Sequence, residues 1–305
     1  MEAFVIGALH MLTAIVFPPL MLGVIGKTKA VFAGRVGPPV MQPYRDLIKL
    51  CRKGSVISET TTWVFQAGPV VGLATVLTAL LLIPLGSSFA PVSFTGDLIL
   101  LAYLLGLGRF FTAVAALDTG SAFEGMGAAR EVTFACLAEP ALFLGLLVLA
   151  KLSGSLQLGV MLGDSLTTHW ATAGASLALV LLSWFIVLLV ENCRVPFDDP
   201  NTHLELTMIH EVMVLDHSGP AFAMILYGAS LKLFAFSALV LRLMLPMGGG
   251  PAWLDWPIFL GGLLLVAVVI GVVESTMARL KLTHVPTLLV AACLLSAFGL
   301  VLIAR

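Results

Sequence analysis

The 305-residue sequence is poor in charge: Asp, Glu, Lys and Arg together make up only 11% of it, while 59% is hydrophobic. Soluble domains average about 25% charged residues, so the polar side chains are too few to coat a water-soluble globule. The mean hydropathy of +1.07 points the same way. Positive charge is not in excess either, because the formal net charge is −1. That argues against nucleic acid as a partner, since phosphate binding needs clustered surplus cation. The four cysteines, Cys51, Cys136, Cys193 and Cys293, are scattered with no CxxC pair. Their spacing excludes an iron–sulfur cluster ligated by this protein alone and any motif-type zinc site. The sequence also lacks a long linker, a low-complexity tract and a clear internal repeat, and it reads as one membrane domain over 1–305.

What the sequence has is long apolar runs. A crossing helix needs about 20 such residues, and eight runs qualify: about 3–26, 63–85, 96–117, 131–152, 170–190, 219–245, 254–276 and 285–304. They are continuous and do not alternate, which excludes a transmembrane β-barrel. The predicted fold is an all-α integral membrane protein of about eight spans embedded in a lipid bilayer. The first run has no basic leader and is too long for a signal sequence; Pro18-Pro19 is expected to kink it. After it, Tyr44–Lys53 gathers apolar residues on one helical face, as in an amphipathic helix lying in the membrane interface.

Eleven of the sixteen Lys and Arg residues fall in the odd-numbered loops, seven of them in the first. The positive-inside rule then places those loops in the cytoplasm and both termini outside. The chemically capable residues lie on that same side or inside the spans. Charges at membrane depth are costly and by default mark a pathway or a paired site. Arg109 sits about twelve residues into the third span, roughly 18 Å along a helix axis. Glu139 lies in the middle of the fourth, Lys232 within the sixth and Glu274 near the end of the seventh. Glu131 and Glu139, eight apart, share one side of a helix. The bland alternative is that Glu139 pairs with Arg109 or Lys232 and only fixes register.

The third loop, Asp118 to Glu131, is expected to be a connector rich in glycine and charge, carrying Glu124 and Arg130. The fifth, Glu191 to Gly219, holds Arg194, Asp198, Glu205, Glu211 and Asp216, with His203, His210 and His217 spaced by seven. On a helix that spacing puts the three histidines on nearly one face. No second histidine follows His210 at the zincin spacing, so no metal site is expected. Carboxylates and imidazoles suit proton transfer better.

Gly34-Arg-Val-Gly-Pro-Pro39, Pro43-Tyr-Arg-Asp-Leu-Ile-Lys49, Asp118-Thr-Gly-Ser121, Gly127-Ala-Ala-Arg-Glu131 and Glu191-Asn-Cys-Arg-Val-Pro-Phe-Asp198 resemble, in order, motifs of the NADH dehydrogenase subunit 1 family of respiratory complex I. The run from Asp198 to Gly219 resembles the branch found in membrane-bound group 4 [NiFe]-hydrogenases of the formate hydrogenlyase and hydrogenase-4 type. Where the quinone-linked members carry acids, this sequence has Asn201 and His203, and its fifth loop ends Asp216-His-Ser-Gly219.

The resemblance implies a non-catalytic anchor in an inner (cytoplasmic) membrane, beneath a hydrophilic redox arm of hydrogenase large and small subunits. The [NiFe] centre and iron–sulfur clusters would belong to those partners, with none in this chain, and antiporter-like membrane subunits would lie alongside. It also implies an acidic conduit through Asp118, Glu131, Glu139, Glu191, Asp198, Glu205 and Asp216. Position adds Glu211 and Glu274 to that conduit, with Arg109 and Lys232 as charge partners. Arg35, Arg130 and Arg194 match motif arginines at the arm interface, to which Arg45, Glu124, His203 and His210 are added. The rival readings are a quinone-reducing complex and a structural anchor with no proton movement.

Overall fold

The computed structural model describes residues 2–198, 209–247 and 252–304. It contains no strand among those residues. The eleven α-helices are α1 (Glu2–Val16), α2 (Pro18–Phe32), α3 (Gln42–Cys51), α4 (Trp63–Leu82), α5 (Asp97–Asp118), α6 (Ala122–Ser153), α7 (Leu158–Met161), α8 (Ser165–Glu191), α9 (Gly219–Met244), α10 (Ala252–Thr276) and α11 (Val285–Ala304). Among the described residues seven helices are long and apolar enough to cross a membrane, and α1 with α2, bent by 46° to each other, brings the count to eight if the pair is one broken span. The bend falls at Phe17, where Pro18 and Pro19 supply no backbone N–H to continue the ladder. The chain is a multi-pass membrane protein.

Its surface is inverted relative to a soluble protein: Tyr103, Phe110 and Trp253 are 74%, 60% and 76% exposed, as lipid-facing side chains should be. Helix contacts inside the bundle depend on small residues and on hydroxyls bonded across helices. Gly145 of α6 lies directly against the indole of Trp184 on α8, where a Cβ would overlap the ring. Ser183 of α8 donates to the Ala292 carbonyl at 2.8 Å, and Ser296 of α11 donates to the Ala141 carbonyl at 2.9 Å. These bonds tie α6, α8 and α11 together.

Helix α3 has no buried residue and packs against α2 and α9, as expected of an interfacial helix. Its Tyr44 donates to the Val16 carbonyl at the α1–α2 break.

Two expectations need correction. The Asp118–Glu131 stretch is not an open loop, because α6 begins at Ala122 and runs unbroken for 32 residues. Only residues 119–121 connect α5 to α6. Gly127 serves packing: it lies against Val212 with no room for a side chain between them. Among the described residues of the fifth loop, no long helix unites His210 with His217. Between His210 and His217 there is a four-residue 3-10 turn, Glu211–Val214. His203 and Glu205, with Asp199 and Asn201, lie outside the described residues.

Candidate functional site

Five ionisable side chains from four helices meet in the middle of the bundle. Arg109 of α5 donates through Nη2 to both carboxylate oxygens of Glu191, at 2.7 and 2.6 Å. Its Nη1 reaches Glu139 of α6, and its Nε stands 3.9 Å from Glu131, two turns earlier on the same helix. Lys232 of α9 approaches Glu191 from the other side at 2.9 Å. Three carboxylates therefore share two cations, and the group carries a formal charge of −1. The eight-residue spacing of Glu131 and Glu139 does bring both acids to one arginine. Their exposure differs, however. The Glu191 side chain is 5% exposed and that of Glu131 13%, whereas Glu139 is 39% exposed on the flank of α6.

A second group has the opposite balance. Glu274 of α10, fully buried at its side chain, lies 2.8 Å from Lys29 of α2 and 3.3 Å from Arg194. One acid here holds two bases and so ties α2 and α10 to the fifth loop. Arg194, expected at the arm interface, turns inward for this pair.

The remaining conduit residues hold backbone in place. Asp118 accepts from the Thr62 amide at 2.7 Å, the Thr62 hydroxyl at 2.8 Å and the Phe65 amide at 3.2 Å. It thereby joins the end of α5 to the start of α4, where the first-turn N–H groups have no partner within the helix. Asp198 is buried; it pairs with Arg279 at 2.7 Å and accepts from the Ile209 amide at 2.9 Å. Glu124, expected on the interface, is instead 1% exposed and accepts from the Asp216 amide at 3.1 Å. Asp216 itself is exposed. Arg35 and Arg45 are exposed on the basic face, and Arg130 is half-buried.

Both charge groups border one cavity of about 740 Å³, which is walled chiefly by apolar residues of α2, α4, α5 and α9. Glu131, Glu191, Glu211, Glu274, Arg109 and Lys232 face it. His210 does as well; burial lowers its pKa and favours the neutral ring. His217, at the same rim, stacks on Phe65 with ring centroids 3.9 Å apart. Burial pulls its pKa down to about 4.

Sequence reading passed over two features of this region. Cys193 was set aside as an isolated cysteine, yet Glu131 and His210 lie beside it; no spacing rule joins residues from three separate segments. Asp97 and Arg242, near the opposite face, are both 0% exposed. At the ends of apolar runs they read as boundary charges.

A protein-family model described as NADH dehydrogenase matches residues 5–305. Formate hydrogenlyase subunit 4 of Escherichia coli (strain K12) is 34% identical over 281 residues, covering 88% of this chain and 88% of the relative. Hydrogenase-4 component C of the same organism is also 34% identical, over 268 residues, covering 86% of this chain and 83% of the relative. Among solved structures, a chain of the membrane-bound sulfane sulfur reductase, an archaeal respiratory membrane complex, superposes with a TM-score of 0.83. At 20% identity, covering 99% of this chain and 100% of that one, the likeness is one of fold. By its motifs, its span plan and these relatives, the chain belongs to the NADH dehydrogenase subunit 1 family.

Proposed function

We propose that this chain is the membrane-anchoring and energy-coupling subunit of a complex I-like, membrane-bound hydrogenase of the formate hydrogenlyase type. In this reading the basic face is cytoplasmic, by the positive-inside rule. The hydrogenase large and small subunits dock on it, and they hold the [NiFe] and iron–sulfur centres. Antiporter-like subunits pack laterally in the membrane.

The observation that carries the reading is the course and charge of the Arg109 group. It begins at the end of α8, where Glu191 meets the fifth loop, and ends at Glu139, whose half-exposed carboxylate opens sideways from α6. A charged group facing lipid at that depth is costly, and an adjoining membrane subunit covering α6 would remove the cost. The three acids carry one negative charge more than Arg109 and Lys232 neutralise, so one proton balances the group. A change of charge above the fifth loop alters where that proton rests, and Arg109 can shift its bonds between Glu191, Glu131 and Glu139 in response. The relatives' names, formate hydrogenlyase and hydrogenase-4, support a hydrogenase over other redox arms.

The test is ion translocation per electron by the whole complex in vesicles. Glu139→Gln is expected to keep electron transfer and lose translocation. If translocation per electron were unchanged, the coupling role would be refuted and a plain structural anchor would stand.

The 740 Å³ cavity favours a second reading, since its size and apolar walls suit a quinone ring and part of its tail. A quinone-reducing complex would stop turning over when its quinone is extracted and restart when it is returned. The hydrogenase reading expects turnover to continue.

A further inference from the structure

Beside the Arg109 group stands a cluster whose chemistry is not that of an ion-pair network. Glu131 on α6, Cys193 in the turn after α8 and His210 just before the 3-10 turn converge from three segments. The carboxylate oxygen, thiol sulfur and ring nitrogen all lie within 4.8 Å of one another.

Several features favour a ligand over a packing accident. Cys193 is 8% exposed, and its backbone is held at φ +49°, a left-handed conformation that costs free energy for any residue other than glycine. Next to the cluster is a pocket of about 10 Å³, lined by Glu131, Cys193, Asp198 and Ile209 among others, which is room for one water molecule. The same three side chains also line the 740 Å³ cavity, which offers a way in.

We propose that Glu131, Cys193 and His210 form a binding site for a single divalent ion of the zinc class, with a water from the small pocket as fourth ligand. Thiolate, imidazole and carboxylate together are the donors of a borderline-soft ion, whereas magnesium and calcium take oxygen ligands. Bond lengths of about 2.0–2.3 Å set tetrahedral ligand atoms roughly 3.3–3.6 Å apart, so side-chain movements of no more than about 1.5 Å complete the site on binding. The Cys193 proton leaves as the metal–sulfur bond forms, and the imidazole of His210 binds through a ring nitrogen that carries no proton. The bound ion also draws Glu131 away from Arg109. The site itself does not depend on the coupling role proposed above.

The test uses the full-length protein, purified in detergent with its affinity tag removed, and Co2+ as a spectroscopic substitute for Zn2+. The expected result is one Co2+ per protein with a thiolate-to-cobalt charge-transfer band, which Zn2+ abolishes. Cys193→Ser and His210→Gln should each weaken Zn2+ binding by more than the roughly 10–100-fold cost of losing an outer-shell partner. Cys51→Ser, Cys136→Ser and Cys293→Ser should leave it unchanged. A second readout needs no variant: in the wild-type protein, Zn2+ should shield Cys193, but not Cys51, from a small alkylating reagent. Absence of a thiolate band at saturating Co2+, a band that survives Cys193→Ser, or alkylation of Cys193 unaffected by Zn2+ would overturn the proposal.

Discussion

Two buried charge groups lie on one cavity wall and are balanced in opposite ways. Around Arg109, three carboxylates face two cations; around Glu274, one carboxylate faces two. Glu274 is bonded to a base on each side, and its pairs act as a clamp between α2, α10 and the fifth loop. A group with a surplus acid has no single best arrangement, so protons and hydrogen bonds can be redistributed within it. Burial and ion pairing alone therefore do not identify a working site. In the proposed reading, the sign of the surplus and the half-exposed Glu139 mark the Arg109 group as the exchangeable one and the Glu274 group as fixed.

Removing the charges one at a time puts this contrast at risk. Arg109→Met should have the largest effect, because it leaves Glu191 and Glu131 buried beside one remaining cation. Breaking a buried pair in this way costs about 3–5 kcal/mol, and thermal unfolding in detergent should show it as a large loss of stability. Glu274→Gln should cost less, about 1.5–3 kcal/mol, the range for hydrogen bonds to charged groups. Lys29 and Arg194 both border the open cavity and can regain water. This variant should be less stable yet still translocate ions normally. A loss of coupling in it would erase the distinction between the two groups.

A third effect depends on pH at the rim of the cavity. His217 has a folded pKa of about 4, below its unfolded value of 6.5, so between those values the unfolded state binds the extra proton. Its contribution to stability is complete above about pH 6.5 and is lost as pH falls toward 4. Thermal stability of the wild type should fall over that range more steeply than that of His217→Gln. Equal slopes would mean that burial does not keep the ring neutral. The smallest stability effect belongs to Glu139→Gln. Its partly exposed carboxylate is worth less than about 1 kcal/mol, even though its loss is expected to abolish translocation.

Much of the architecture could be read from composition. Seven of the eight apolar runs correspond to long crossing helices and the first to the bent α1–α2 pair, whose Pro18-Pro19 break falls where proline chemistry places it. Charges at membrane depth also announced themselves, since hydrocarbon tolerates so few. The helix boundaries were harder. Gly125 and Gly127 look like loop residues, yet they lie in α6, and Gly127 admits the Ile209–Met213 segment against the helix. No window of sequence reveals that contact. Pairing was also hidden: that Lys232 chooses Glu191, or that Asp118 caps α4 across 56 residues, depends on tertiary geometry. The Glu131–Cys193–His210 cluster is the extreme case, with three ordinary residues that acquire meaning only in three dimensions.

Redox-induced infrared difference spectroscopy on the intact complex reads the exchangeable group itself. A carboxylic-acid C=O band is expected to appear or shift when the arm is reduced, to be altered in Glu131→Gln and Glu139→Gln, and to be unchanged in Glu274→Gln. A band altered only in Glu274→Gln, or no carboxyl change in any of the proteins, would contradict the assignment of the mobile proton to the Arg109 group.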